Sequence, residues 1–192
     1  MDASITSAPM FCLFPSGAVG GSIACRPLLA GVAAAPVVGV VPGPTDPDDL
    51  AAVERAQAEA AVNLARVPVR VTPIDLGTAR GLVIDGAPFA SEKLLDRAFV
   101  DQQHAALGAT VLLAAVPVKG ELWLIASGTP EETAAFVGRV ADRWLDAAPD
   151  QRLSTAVLSV VRGRVAGLFH HDPAPRRARA GRTGWLARWL GR

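Results

Sequence analysis

Hydrophobic residues form two kinds of pattern along the middle of the chain. Apolar residues three and four positions apart predict helices over about 47–66, over about 90–107 and from about 130. Each helix is followed by two short segments rich in Val, Ile and Leu that flank a Gly-containing turn, which is typical of a β-hairpin. The predicted hairpin strands are 68–75 with 80–85, 110–116 with 121–126, and 153–161 with 164–169.

Local signals mark the helix ends. Thr129 is followed by Pro130 and, three residues after the Thr, by Glu132, and this spacing forms a capping box at the third helix. At the first helix, a Thr or Asp cap precedes Pro47, a residue favoured at the first helical position. Gly108 lies where a left-handed residue would end the second helix.

The repeated order of one helix and one hairpin defines the predicted architecture. The three units start near residues 47, 90 and 130, but their sequences are not alike, so the repetition is one of architecture. Helices that alternate with hairpins predict a mainly antiparallel sheet. We therefore expect an α+β fold, a single domain of three helix–hairpin units with the helices on one face of the sheet. A Val-rich run at 37–41 predicts one further strand.

Length and composition predict one domain with extensions at both ends. The chain has 192 residues, of which 51% are hydrophobic and 19% charged, and its mean hydropathy is +0.31. Such a composition favours a well-buried core over disorder. We expect an apolar N-terminal segment (1–25), the α+β domain (26–171), a linker rich in Pro, Ala, Gly and Arg (172–183) and a basic amphipathic tail (184–192).

The net charge of +1 conceals an uneven distribution of charge. From residue 176 onward the chain has six Arg and no acidic residue, whereas the preceding 175 residues carry 13 basic and 18 acidic groups. An acidic body gives no reason to expect a nucleic-acid partner, but the basic end should be attracted to an anionic surface. The candidate residues for that contact are Arg176, Arg177, Arg179 and Arg182.

The last residues of the chain predict a docking segment. If 185–190 is helical, its two Trp and two Leu lie within an arc of roughly 140°. Trp beside Arg suits the surface of an anionic membrane, and the same apolar face suits a groove on a partner protein. Both alternatives stay open. The docking residues would be Trp185, Leu186, Arg188, Trp189 and Leu190.

The first residues do not have the pattern of a secretory signal peptide. Asp2 stands where such a peptide carries Lys or Arg, and Pro15 interrupts the apolar run. We therefore expect a cytoplasmic protein, with peripheral contact at the inner membrane as one role for the tail. Free thiols at Cys12 and Cys25 fit a reducing compartment, and a disulfide between them is the alternative.

An ordered set of short signatures extends from about 26 to 168. It comprises the helix end 61–66, Asp85-Gly86 ahead of a Ser-initiated helix with Leu94-Leu95, Val116-Pro117 at a hairpin, and Leu153-Ser154 before the last strands. This set resembles an uncharacterised bacterial family, the YtpQ-type proteins. The resemblance implies a bacterial protein and a fold type, and the family has no activity to transfer. Residues 118–121 depart from the family pattern, in which an Arg-Asp pair follows Val-Pro.

Two polar clusters are candidates for chemistry. His170-His171-Asp172 could hold a metal with a ligand from elsewhere, although adjacent residues at a strand end point in different directions. Asp101 and His104 lie three positions apart on a predicted helix, where a carboxylate can orient an imidazole. The chain has no nucleophile motif such as Gly-x-Ser-x-Gly to complete a catalytic set. We expect neither a metal nor a cofactor.

An apolar body without a convergent polar site favours a non-catalytic binding or adaptor module. Such a module would act through an unknown protein partner, with the tail docked on a membrane surface or on that partner. Two alternatives stay open. One is an enzyme of unknown class that uses Asp101 with His104 or the His170–Asp172 cluster, and the other is a secretion-chaperone or toxin-neutralising protein.

Overall fold

The computed structural model describes residues 8–15, 26–28, 35–42, 48–76, 79–172 and 175. These residues form three α-helices and two antiparallel sheets. The helices are α1 (Leu50–Arg66), α2 (Arg97–Leu107) and α3 (Pro130–Asp146), with 3₁₀ helices at Ser91–Leu95 and Pro149–Gln151. The strands are β1 (Met10–Phe14), β2 (Arg26–Pro27), β3 (Val37–Val41), β4 (Arg70–Leu76), β5 (Ala79–Asp85), β6 (Val111–Ala115), β7 (Leu122–Ala126), β8 (Val157–Val161) and β9 (Arg164–His170).

The three predicted helix–hairpin units are present in the structure. The hairpins β4–β5, β6–β7 and β8–β9 follow α1, α2 and α3 along the chain. They join into one six-stranded sheet of order β4-β5-β7-β6-β8-β9, in which each neighbouring pair is antiparallel. The α+β class and the antiparallel sheet are therefore confirmed.

The helices lie on both faces of this sheet and not on one face, which corrects the expected arrangement. Leu112 of β6 belongs to a core with Val100 of α2, whereas the next residue, Leu113, belongs to a second core with Phe136 and Val140 of α3. Successive side chains of a strand point to opposite faces, so α2 and α3 cover opposite faces. The physical reason is that β6 is apolar throughout, and a central strand without a polar face needs cover on both sides.

A smaller sheet of order β1-β3-β2 packs on the α2 side of the molecule. Its middle strand β3 is the strand predicted at 37–41, and both of its pairings are antiparallel. Leu13 of β1 and Val38 of β3 are buried in the same core as α2. The helix α1 packs against β1 and buries Ala60 and Leu64. A strand from the segment 1–25 thus contributes a side chain to the core of the domain.

Asp residues shift the starts of two helices from their predicted positions. The side chain of Asp49 accepts a hydrogen bond from Ala52 N at 3.0 Å, so α1 begins after Asp49 and not at Pro47. The predicted helix 90–107 is divided at Asp96, which has extended backbone angles and accepts a hydrogen bond from Phe99 N at 3.1 Å. A side chain that caps the backbone in this way competes with helix continuation. As a result, a 3₁₀ helix precedes α2.

Two glycines with opposite surroundings provide a test of the packing. A Cβ at Gly81 of β5 would lie 2.6 Å from Ile74 Cγ1 and 2.8 Å from Ile125 Cγ2, so Gly81→Ala should destabilise the fold by about 1–3 kcal/mol. A Cβ at Gly138 of α3 would have no described atom within 4 Å, so Gly138→Ala should stabilise it by roughly 0.5–1 kcal/mol. Urea denaturation measures both free energies of unfolding, and changes of the same sign would contradict this packing.

Candidate functional site

The most polar part of the interior is the 3₁₀ helix Ser91–Leu95. Ser91, Glu92 and Lys93 expose only 0%, 5% and 2% of their surface. This short helix contacts α1, β1, α2 and β7, so it lies where the smaller sheet meets the larger one. Buried ionisable groups require hydrogen-bonding partners, and all three side chains have them.

Glu92 binds the outer edge of β1. The backbone N–H of Leu13 donates to Oε1 of Glu92 at 2.9 Å, and the hydroxyl of Ser91 donates to Oε2 at 2.6 Å. Ser91 Oγ in turn accepts a hydrogen bond from the N–H of Gly120 at 3.1 Å. Burial raises the pKa of Glu92, and these hydrogen bonds offset part of that rise. Glu92 thus provides a buried acceptor for one backbone N–H of β1.

Lys93 joins the end of α1 to the start of α2. Its Nζ donates to the carbonyl of Leu64 at 2.7 Å, to that of Ala65 at 3.2 Å and to Oδ2 of Asp96 at 2.9 Å. The ammonium group also lies 5.3 Å from the centre of the Phe99 ring. A cation at these carbonyls favourably opposes the negative end of the α1 dipole. All three ammonium hydrogens therefore have acceptors within the fold.

This cluster is sealed, and its contacts are structural. Each polar atom described above is bonded to another part of the fold, and the side chains have too little exposure to meet a substrate. This cluster was not predicted from the sequence. Its only local signal is the run of three polar residues, Ser91 to Lys93, at the start of a segment with an amphipathic pattern.

The structure does not join Asp101 to His104. Asp101 Oδ2 lies 3.7 Å from Arg97 Nε, one turn earlier on α2. His104 Nδ1 lies 2.9 Å from the carbonyl oxygen of Ala109, a contact that requires the proton to be on Nδ1. Across the described residues, Nε2 of His104 is buried and has no hydrogen-bond partner, and nothing bonds this imidazole to Asp101.

The His170–Asp172 cluster lies at the end of β9. Burial lowers the pKa of His170, the nearby Asp172 carboxylate opposes this change, and His171 adds to it. The hydroxyl of Thr155 donates to the backbone carbonyl of Asp172 at 2.6 Å, which ties the strand end to the body. In the part of the chain that the structure describes, no three His, Cys, Asp or Glu side chains are placed to hold a metal.

The outer edge of β9, Arg164–His170, carries two large apolar side chains next to each other. Leu168 is 36% exposed and Phe169 is 45% exposed. β9 is the last strand in the sheet order, and its one partner among the described strands is β8. We call this strand, with the side that no described strand covers, the β9 edge. Exposed apolar groups on an open strand are a typical feature of a contact surface.

Two of the other three outer strands, β4 and β1, carry a feature that hinders pairing with a further strand. β4, at the far side of the six-stranded sheet, contains Pro73, which has no N–H to donate to a further strand. The outer side of β1 is bonded to Glu92, and Nδ2 of Asn63 donates to the carbonyl of Pro9 beside it at 2.9 Å. The β9 edge has neither feature, but its register with β8 shifts at two points, and such bulges also reduce regular pairing with a further strand.

The predicted docking and anion-contact residues of the tail lie outside the described residues. They are Arg176, Arg177, Arg179, Arg182, Trp185, Leu186, Arg188, Trp189 and Leu190. Among the helices of the described residues, none is long and apolar enough to cross a bilayer.

The described residues define an α+β protein with a six-stranded antiparallel sheet whose β9 edge is covered by no described strand. Comparison with protein-family models, with curated proteins and with solved structures finds no match to this chain. The resemblance to the YtpQ-type family therefore stays a hypothesis from sequence.

Proposed function

We propose that this chain is a non-catalytic binding module of the bacterial cytoplasm that acts through protein contacts, with the β9 edge as its principal contact surface. The observation that supports this proposal is the exposure of Leu168 and Phe169 on a strand with one side that no described strand covers. An extended partner segment can add to such a strand through backbone hydrogen bonds, while pockets for side chains provide specificity.

The distribution of polar groups agrees with a binding role. Glu92 and Lys93 form internal hydrogen bonds and are almost fully buried. The groups considered for catalysis, Asp101 and His104, are not bonded to each other. The contact surface is apolar instead, and apolar burial is the main source of free energy in protein association.

We propose that the tail provides a second contact. Its composition, two Trp and two Leu with neighbouring Arg, suits either an anionic inner-membrane surface or the same protein partner. Membrane binding by this segment should depend on anionic lipid and weaken with salt, because exposed charges are screened within about 8 Å at physiological ionic strength. Partner binding should require no lipid.

Phe169→Lys should abolish partner capture by the tagged full-length chain in extracts of its host, because it places a charge in the apolar contact surface. The matched control is Val71→Lys on β4, where a similarly exposed apolar residue (41%) lies on the blocked edge of the same sheet. Quantitative mass spectrometry should show one protein that is lost with Phe169→Lys and retained with Val71→Lys, and that rebinds as a purified protein.

Two changes separate the role of the tail from that of the β9 edge. They are a truncation after Pro175 and the double variant Trp185→Ala/Trp189→Ala. Co-sedimentation with anionic and neutral vesicles, at low and high salt, measures membrane contact. Equal capture and equal sedimentation by all variants would contradict the proposed function. Loss only in the tail variants would assign the contact to the tail and remove the β9 edge from the proposal.

A further inference from the structure

The last hairpin, β8–β9, concentrates exposed apolar side chains. Of the seven large apolar residues that are exposed among the described residues, three lie on this hairpin, and they are Val161, Leu168 and Phe169. The other four are spread over β3, α1 and β4. Val161 stands beside the turn, whereas Leu168 and Phe169 are adjacent near the other end of the hairpin. A local concentration of this kind indicates a surface that another segment covers.

The irregular pairing of β9 bears on the kind of segment that fits. Its register with β8 shifts at two points, so a further strand can pair along only part of its outer side. A helix that packs on Leu168 and Phe169 does not depend on that row of backbone groups, because rows of side chains make the contact. The edge therefore suits an occupant that presents an apolar helical face.

The chain itself carries such a face within reach of β9. A helix over 185–190 would present two Trp and two Leu on one side. The hydroxyl of Thr155 binds the carbonyl of Asp172 at 2.6 Å, so the chain is held to the body just after β9. Trp185 follows thirteen residues later, and this length of chain spans at most about 45 Å. The seven residues of β9 span about 23 Å, so the tail can reach either end of the strand.

The distribution of charge favours the same contact. From residue 176 onward the chain has six Arg and no acidic residue, whereas the preceding part carries 13 basic and 18 acidic groups, so the two parts attract each other. Arg162 and Arg164 are exposed at the turn of the hairpin and would repel a basic segment there. The tail is therefore favoured at the other end, where Leu168 and Phe169 lie.

We propose that residues 185–190 cover Leu168 and Phe169 of the same chain in the free protein, as a helix whose Trp and Leu side chains face this apolar pair. This inference rests on the proposed function, because it adds regulation to the β9 edge. The two contact surfaces then mask each other. A partner that occupies the β9 edge releases the tail, and a membrane or partner that captures the tail opens the β9 edge. Because both surfaces belong to one chain, the masking does not depend on protein concentration.

Fluorine NMR of the full-length chain labelled with 5-fluorotryptophan tests this contact. The signals of Trp185 and Trp189, assigned through Trp185→Phe and Trp189→Phe, should lie away from the position of solvent-exposed fluorotryptophan, which is measured in urea. Phe169→Ser should move both signals to the exposed position, since it removes an apolar contact without adding a charge. Val71→Ser on β4 is the matched control and should leave both signals unchanged.

The same spectra contain a control for folding. Trp123 of β7 and Trp144 of α3 belong to the body, so unchanged positions of their signals show that a variant is folded. Leu168→Ser is a second variant and should expose the tail as Phe169→Ser does.

Three results would overturn the inference. They are tail signals at the exposed position in the wild type, tail signals that neither Phe169→Ser nor Leu168→Ser moves, and tail signals that shift with protein concentration, which would indicate contact between two copies. Partner capture that depends on Phe169 in a protein with an exposed tail would overturn the masking and leave the binding module intact. A masked tail in a protein that captures no partner would support the contact and contradict the proposed function.

Discussion

Lys93→Met should lower the free energy of unfolding by about 3–5 kcal/mol, the range observed when one partner of a buried ion pair is removed. Met has nearly the same length and shape, so the change chiefly removes the charge and its three hydrogen bonds. The carbonyls of Leu64 and Ala65 then lose a buried donor, and Asp96 keeps a charge at only 11% side-chain exposure. Urea denaturation followed by circular dichroism measures the loss.

The second lysine of the chain provides a matched control for this substitution. Lys119 is exposed, so Lys119→Met should change the free energy of unfolding by no more than about 0.5 kcal/mol. Adding Asp96→Asn to Lys93→Met should recover part of the loss, because Asn removes the uncompensated charge and still caps α2. Equal stability of Lys93→Met and Lys119→Met would show that Lys93 does not hold α1 and α2 together.

Glu92→Ala should destabilise the fold by on the order of 3 kcal/mol, because the N–H of Leu13 and the hydroxyl of Ser91 lose their acceptor inside the protein. The smaller sheet should be affected first, since Leu13 lies on β1. Hydrogen exchange of the β1 amides, read beside the global free energy of unfolding, measures both effects. Glu59→Ala on the exposed side of α1 is the control, and an equal change in the two variants would contradict the role of Glu92.

The stability of the wild type should also respond to the titration of Glu92. Because the folded-state pKa is raised above the usual value of about 4.5, the folded protein binds this proton more readily than the unfolded chain. Lowering the pH from neutral through the raised pKa should therefore stabilise the wild type relative to Glu92→Gln, and the gain should be complete below about 4.5. A difference between the two proteins that stays constant over this window would contradict the raised pKa of Glu92.

The elements that the sequence predicts well are those that local chemistry determines. The capping box of Thr129 and Glu132 places the start of α3 at Pro130, as expected, because all its hydrogen bonds form within four residues. The turn of the third hairpin is likewise local, since Arg162 and Gly163 both adopt positive φ values, the geometry of a tight two-residue turn.

The features that the sequence did not predict depend on partners far away in the chain. Glu92 bonds to a residue 79 positions before it, and Lys93 bonds to one 29 positions before it, so neither burial has a local pattern. The β9 edge is similar. The Arg162-Gly163 turn and the apolar residues after it predict a strand at 164–169, but only the order of the assembled sheet makes it an edge strand.

The sheet order also explains why three units of one shape have sequences that are not alike. The middle hairpin, β6–β7, has a neighbouring strand on each side, whereas each outer hairpin has one side without a described neighbour. The middle unit has apolar residues on both faces because α2 covers one face and α3 the other, whereas the outermost strands carry Pro73 at one side of the sheet and the exposed Phe169 at the other. The units are therefore not interchangeable. The last hairpin, moved to the middle of the sheet, would bury Arg164. The first hairpin, moved there, would place Pro73, which has no N–H, where a strand has to donate hydrogen bonds to its neighbour. A common sequence repeated three times could not satisfy three unequal positions in one sheet.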